Sequence, residues 1–173
     1  EFARAIRAND LPAGVLEIDD KWEVHYGDMD FDPVKFPDPR AMNDELHRMA
    51  FRSTLWVHPF VNPDTKAFAE HRDDGLLLRD ANGTTGMIRW WNGPAAVWDF
   101  TYPRAGELFR RRLDGLMQGF GFDGFKFDGG DVHFVVRDAK PMHPMTAAEY
   151  PDVYNEVATA HYGWNETRVG IYS

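Results

Sequence analysis

The sequence predicts an α/β fold built on a parallel sheet, and three observations carry that prediction. Short apolar runs of strand length alternate along the 173 residues with stretches of helical spacing, the pattern of strand–helix–strand crossovers. Hydrophobic residues make up 43% of the chain and aromatic residues 14%, enough for a packed core and too much for disorder. Acidic and histidine side chains fall at the ends of successive apolar runs, the edge at which parallel sheets collect their chemistry. The runs are too few and too short for a second domain, and 1–173 carries no internal repeat or low-complexity tract.

The first strand is Gly14 to Asp19, GVLEID, a short apolar run closing on acid. A connection rich in aromatics, Gly and Pro, KWEVHYGDMDFDPVKFPDP, follows it and is long for a plain loop. After Pro37 and Pro39, the spacing of Met42, Leu46, Met49 and Ala50 predicts a helix over Arg40 to Phe51. Arg52 to Phe60, RSTLWVHPF, is the second strand. Asp64 to Asp73 reads as a short helix, and Gly75 to Arg89 as irregular strand and turn around Asn82-Gly83. The clearest helix is Pro103 to Phe120, with proline near its start and Leu108, Phe109, Leu113, Leu116 and Met117 on one apolar face. Phe122 to Asp128 is the third strand, Ala147 to His161 a further helix, and Arg168 to Ser173 lies on or after a fourth strand. The chain starts at EFARAIRAND without Met and stops at RVGIYS inside a strand-like run. We therefore expect a piece of a longer protein, one that alone would leave strand edges unpaired and would aggregate or fold in part.

A formal charge of -9 opposes nucleic acid or an anionic membrane as partner, and Arg110 to Arg112 reads as a solvated helix face. No apolar run approaches the ~20 residues that span a bilayer. With no cysteine there is no disulfide framework and no thiolate metal site.

The segment Gly121 to Asp131, GFDGFKFDGGD, holds the densest chemistry. Period-two alternation puts Lys126 and Asp128 on one strand face and Phe125 and Phe127 on the other. The expectation is that the Lys126 ammonium keeps Asp128 ionised, while Gly129 and Gly130 leave the strand end open to a ligand. Asp19 and Asp20 end the first strand, His58 sits near the end of the second, and Asp128 and Asp131 end the third. Three strand ends at one edge predict an active site. Trp22, Tyr26, Trp56, Trp90, Trp91 and Trp98 exceed what a core needs, and flat rings beside carboxylates suit sugars. A metal centre on Asp128, Asp131 and His133, or on His58 with Asp19, is the weaker reading because that spacing is common. His58 is expected to be a hydrogen-bonded structural histidine, Asp99 to cap the helix near Pro103 or brace its loop, and His143 to be a loop residue.

Five ordered blocks then carry a resemblance: LEIDDKW with HYGD and FDPVKFPDP, LWVHPFVN, RWWNGPAAVWDFTYP, GFKFDGGDV, and RVG. From about Leu11 onward the chain resembles glycoside hydrolase family 31, and within it the myogenesis-regulating glycosidase branch. The resemblance implies a (β/α)8 TIM barrel, present here as a fragment of roughly strands two to five. It implies a retaining hydrolase of α-linked glycosides, an oligosaccharide or glycoconjugate as partner, and no cofactor or metal. By the resemblance, Asp128 is the nucleophile. Asp19 binds sugar hydroxyls with Asp20 as its neighbour, Trp91 walls the subsite, Lys126 faces the sugar, and Arg168 contacts it near the nucleophile. The family's acid/base aspartate falls past Ser173. Asp131 stands where many relatives have Glu and is assigned no catalytic part; Lys126 stands where α-glucosidase members have Trp. That replacement removes the case for glucose, and because the branch it resembles is associated with α-galactosides, the resemblance implies an α-galactosidase first and an α-glucosidase or α-xylosidase next, with a non-catalytic sugar-binding homologue as the remaining alternative.

Overall fold

The computed structural model describes residues 1–170 of the chain. A short helix α1 (Phe2–Ala8) leads into β1 (Val15–Ile18), and α2 (Pro39–Arg48) returns the chain to β2 (Arg52–Val57). An excursion follows through β3 (Phe60–Val61), α3 (Lys66–Asp73), β4 (Ile88–Trp90) and β5 (Gly93–Val97). Helix α4 (Pro103–Phe120) then leads to β6 (Gly124–Asp128), and α5 (Tyr150–Ala158) to β7 (Asn165–Arg168). Strands β1, β2, β6 and β7 form one parallel sheet in that order, each reached by a helical crossover. Its register sets Ile18 beside Leu55, Leu55 beside Phe125, and Asp128 beside Arg168. This is the α/β arrangement that the alternating runs predict, and it forms an arc of a barrel wall.

Alternation divides the sheet into two faces. Leu55, Val57, Phe125 and Phe127 point to the helices and join Phe109, Leu113 and Leu116 of α4 and Tyr154 and Ala158 of α5 in the main core. The other face carries Trp56, Lys126 and Asp128, so burying one face aims the polar side chains of the other at a common interior. Helix starts are marked locally. The Asp38 carboxylate accepts from Ala41 N–H with Pro39 in the first turn, Thr65 Oγ1 accepts from Phe68 N–H, and Thr146 and Glu149 form a capping box just ahead of α5.

Several boundaries differ from expectation. The second strand does not run through to Phe60. It stops at Val57, and Pro59, without an N–H to give a ladder, marks the bend into a small antiparallel sheet ordered β3-β5-β4. That sheet was not predicted, because β3 and β4, two and three residues long, carry too little alternation to be read, and β5 opens on Gly-Pro. Helix α1 was not predicted either; it buries Ala3 against Leu46 and Phe51 in a small separate cluster. Phe51 is therefore core beyond the end of α2 rather than its last turn. The fourth strand occupies 165–168, so that Arg168 lies on it and the following residues come after it as expected, while residues 171–173 lie outside the described residues. Among the described residues, no helix is long and apolar enough to cross a membrane.

Candidate active site

Asp128 is the last residue of β6 and 1% exposed. Both carboxylate oxygens are fully engaged. Oδ1 accepts from Gly129 N–H at 2.9 Å and from Arg168 Nε at 2.7 Å, while Oδ2 accepts from Trp56 Nε1 at 2.8 Å and Arg168 Nη2 at 2.6 Å. Burial alone pushes the pKa up, but the Arg168 and Trp56 hydrogen bonds and the guanidinium charge outweigh it and hold the carboxyl below its ordinary value. It is a buried anion. The backbone after it turns through Gly129 and Gly130 at φ 73° and 77°, conformations that disfavour a side chain. A Cβ on Gly129 would come within 2.5 Å of the Phe60 ring.

The cation beside Asp128 is not the one expected. Lys126 Nζ lies 3.0 Å from Glu17 Oε1 and 3.2 Å from Asp19 Oδ2, and Arg168 takes the place beside Asp128. Same-face residues on one strand are separated by about 6.6 Å, whereas register pairing sets Arg168 directly opposite Asp128. The lysine instead reaches β1, where Glu17 and the adjoining Asp19 share a face by the same alternation. Around it, Glu17 is raised by burial and by Asp19 against the pull of Lys126. Asp19 is pushed up by burial and brought below its ordinary value by the Asp20 N–H and Lys126. Lys126, lowered by burial, is raised overall by its two carboxylates.

Asp20 receives the Tyr26 hydroxyl at 2.6 Å, and the Tyr26 ring lies edge-on to Trp56 and Trp90. Trp91, in the turn between β4 and β5, is 53% exposed; its ring packs edge-on to Phe134 and carries the Arg168 guanidinium 5.3 Å from its centroid. All six predicted site residues, Asp19, Asp20, Trp91, Lys126, Asp128 and Arg168, line one cavity of about 240 Å³, together with Trp56 and Asn92. A larger cavity, about 670 Å³, lies between α4, α5 and the loop at 143–149, and holds none of these groups.

Three residues lacked an assignment in the sequence reading. Trp56 was one aromatic among six, and its contact with Asp128 follows from its place opposite Lys126 on β2. Glu17 was findable, since GVLEID puts it two residues before Asp19 and so on the same face. Asn92 gave no signal.

The remaining conspicuous groups act on the scaffold. His58 Nε2 faces Glu23 Oε1 at 3.2 Å with both side chains 2% exposed, and its Nδ1 accepts from Phe60 N–H. Glu23 Oε2 in turn accepts from Gly27 and Met29 N–H, so this pair ties the β1–α2 connection to the end of β2. Asp99 braces its loop by accepting from Thr101 and from Met142 N–H, and the His143 N–H donates to Thr101 Oγ1. Asp131 accepts from Gly170 N–H at 2.8 Å. Among the described residues, no three His, Asp or Glu side chains are grouped to hold a metal ion.

A family model for the TIM-barrel domain of glycosyl hydrolases family 31 matches residues 1–170. The myogenesis-regulating glycosidase of Mus musculus is 39% identical over 175 residues, a match covering 100% of this chain and 24% of that protein. The alpha-xylosidase XylQ of Lactiplantibacillus pentosus is 26% identical over 133 residues, covering 76% of the chain and 17% of the enzyme. A dextranase of the same family from Flavobacterium johnsoniae, solved in complex with glucose, superposes with a TM-score of 0.83 at 20% identity, over 98% of this chain and 23% of that one. An alpha-xylosidase from a soil metagenome, solved with xylose, superposes at 0.77 with 22% identity, over 95% and 25%. The chain thus spans between about a sixth and a quarter of the length of its first relatives, and the structural likenesses establish a barrel fold.

Proposed function

This chain belongs to glycosyl hydrolase family 31, and from that premise and the geometry at Asp128 we propose that it supplies the nucleophile side of a retaining α-glycosidase. The observation that carries the proposal is a buried, ionised carboxylate at a strand end, held by Arg168, Trp56 and the Gly129 N–H beside the half-exposed Trp91 ring. A retaining mechanism needs two carboxyl groups about 5 to 5.5 Å apart, one ionised and one protonated. Asp128 forms the bond to the anomeric carbon while the bond from that carbon to the leaving oxygen breaks. A second carboxylic acid, from beyond these 173 residues, gives its proton to that oxygen. Water, deprotonated by the same group, then displaces Asp128 and releases the sugar with its configuration retained.

The saturation of Asp128 shapes the first step. Four donors leave no in-plane lone pair for attack, so one must withdraw. Trp56 is buried and Gly129 is backbone, whereas the Arg168 side chain is 52% exposed and has room to turn from Asp128 to a sugar hydroxyl. Asp19 and Asp20 accept hydrogen bonds from sugar hydroxyls, Lys126 donates one, and Trp91 stacks on the C–H face of the ring. The sugar is taken to be an α-galactoside first, on the likeness to the myogenesis-regulating glycosidase branch, with Lys126 standing where a flat wall would favour glucose. The names of the alpha-xylosidases among the relatives keep xylosides as the second reading.

The test is a fluorinated glycosyl inactivator applied to the full-length protein, with a panel of p-nitrophenyl α-glycosides to rank the sugar. The adduct is expected on the peptide containing Asp128, and Asp128→Asn should neither turn over nor become labelled. A label on any other side chain overturns the assignment.

A further inference from the structure

Glu17 has no part in the mechanism above, yet it sits under the sugar cavity as one of two carboxylates on Lys126. The Lys126 side chain is 14% exposed and that of Glu17 25%, while Asp19, the other partner, is 60% exposed at the rim. Glu17 is therefore the inner, fixed partner, and Asp19 the one a ligand can compete with. The ammonium has three N–H donors; it donates one to Asp19 Oδ2 and holds Glu17 Oε1 beside it as an ion-pair partner at 3.0 Å, which leaves donor capacity for a ligand.

Charge sharpens the point. Three carboxylates, those of Asp19, Asp20 and Asp128, line this small volume, a fourth, Glu17, lies behind Lys126, and two cations, Lys126 and Arg168, stand against them. Each cation is already ion-paired, Lys126 to Glu17 and Asp19, Arg168 to Asp128. A neutral hydroxyl can take the spare N–H without disturbing either pair. A uronate or sulfonate would meet a surplus of negative charge and would have to win a cation from its partner.

We infer that Glu17 is a specificity-determining residue of this site: by pairing with Lys126 it turns a potential anion receptor into a donor for a neutral hydroxyl, so the cavity takes neutral α-glycosides and rejects anionic ones. The inference rests on the sugar-site reading of the previous section. It assigns the selectivity to a strand residue beneath the sugar rather than to the rim, and separates two uses of one lysine. With Glu17 in place the ammonium reads a hydroxyl; without that charge it becomes free to take an anion.

Binding is measured in full-length Asp128→Asn protein, where turnover is blocked and Arg168 has lost its charge partner equally in every variant compared, so that differences among the variants report on Glu17. Calorimetric titration with methyl α-galactoside and with methyl α-galacturonide, both at low ionic strength, yields a neutral-to-anionic affinity ratio. Adding Glu17→Gln should shift that ratio toward the uronide by roughly 10- to 50-fold, the effect of one charge across a cavity of this size at an effective dielectric of ~20. Salt should shrink the shift. Glu17→Asp, which keeps the charge, should retain the parent's preference, and Glu17→Met provides the neutral variant if the glutamine form does not fold. A ratio unmoved within twofold in a folded neutral variant, or an equal loss of both ligands, overturns the inference while leaving the sugar site standing. Binding of neither sugar to the Glu17 parent overturns the site reading itself, and this inference with it.

Discussion

Replacing Arg168 with Met in the full-length protein puts the electrostatics of the site under direct test. The substitution deletes the two hydrogen bonds to Asp128 at 2.7 and 2.6 Å and leaves the Trp56 and Gly129 N–H groups as its donors. Breaking a fully buried ion pair from one side costs about 3–5 kcal/mol. Here Asp128 is buried but the Arg168 side chain is 52% exposed, and solvent screening reduces the expected loss to roughly 2 kcal/mol. That loss is expected in folding stability, and kcat/KM falls as well because the hydroxyl contact that Arg168 turns to make is removed with it. The direction in pH follows from the same contacts. In the folded protein burial pushes Asp128 up, and Arg168 and Trp56 more than offset it, so its pKa lies below the ordinary 3.8. Its stabilising contribution is complete above that ordinary value and is lost as pH falls through the lower folded one. Without Arg168 burial dominates, the carboxyl protonates more readily, and the acid limb of kcat/KM moves to higher pH. The assay is a pH profile of kcat/KM for both proteins, with the denaturation midpoint recorded beside it. An acid limb that stays in place would show that Arg168 is not what keeps Asp128 ionised.

Gly129→Ala adds a Cβ at φ 73° and within 2.5 Å of the Phe60 ring, so a stability loss of roughly 2–4 kcal/mol is expected, read from the urea midpoint; no change would mean the turn relaxes freely. Trp91→Ala should raise KM by about 3- to 10-fold with kcat and stability nearly unchanged, since its half-exposed ring adds little to the core; a kcat effect alone would remove it from the subsite. His71, held between Trp98 and Arg112, has its pKa lowered from 6.5 to about 4 by burial and by the Arg112 charge. Its stabilising contribution is therefore complete above pH 6.5 and erodes as pH falls to about 4, by about 3 kcal/mol in total, and His71→Gln should flatten stability over that window. Equal pH slopes in the two proteins would show that His71 protonates without cost.

The boundaries of α4 were legible residue for residue because its signals are local: Pro103 in the first turn, an apolar face recurring at helical spacing, and Gly121 in the left-handed cap. The antiparallel sheet was not legible, because β3 has two residues and pairs with Val97 and Ala96 far along the chain. Helix α1 was missed for a related reason, since seven residues with one buried side chain leave no periodicity to read. At the site, strand alternation put Lys126 and Asp128 on one face, and the acids at the end of β1 pointed to the same edge. It did not tell which charges would pair.

Alternation, composition and the placement of acids at strand ends are properties of the chain itself, and they determined the parallel α/β layout, the inward face of β6 and the acids at its edge, while Trp91 and Arg168 were placed at the site by the family resemblance. Pairing was decided by the tertiary structure alone. Asp128 meets Arg168 forty residues away because β6 and β7 lie in register, and Lys126 meets Asp19 across 107 residues because β1 lies two strands away on the curved wall. An ion pair depends on a few ångströms of separation, and that separation is set by which strands are neighbours, a property no local stretch of sequence contains.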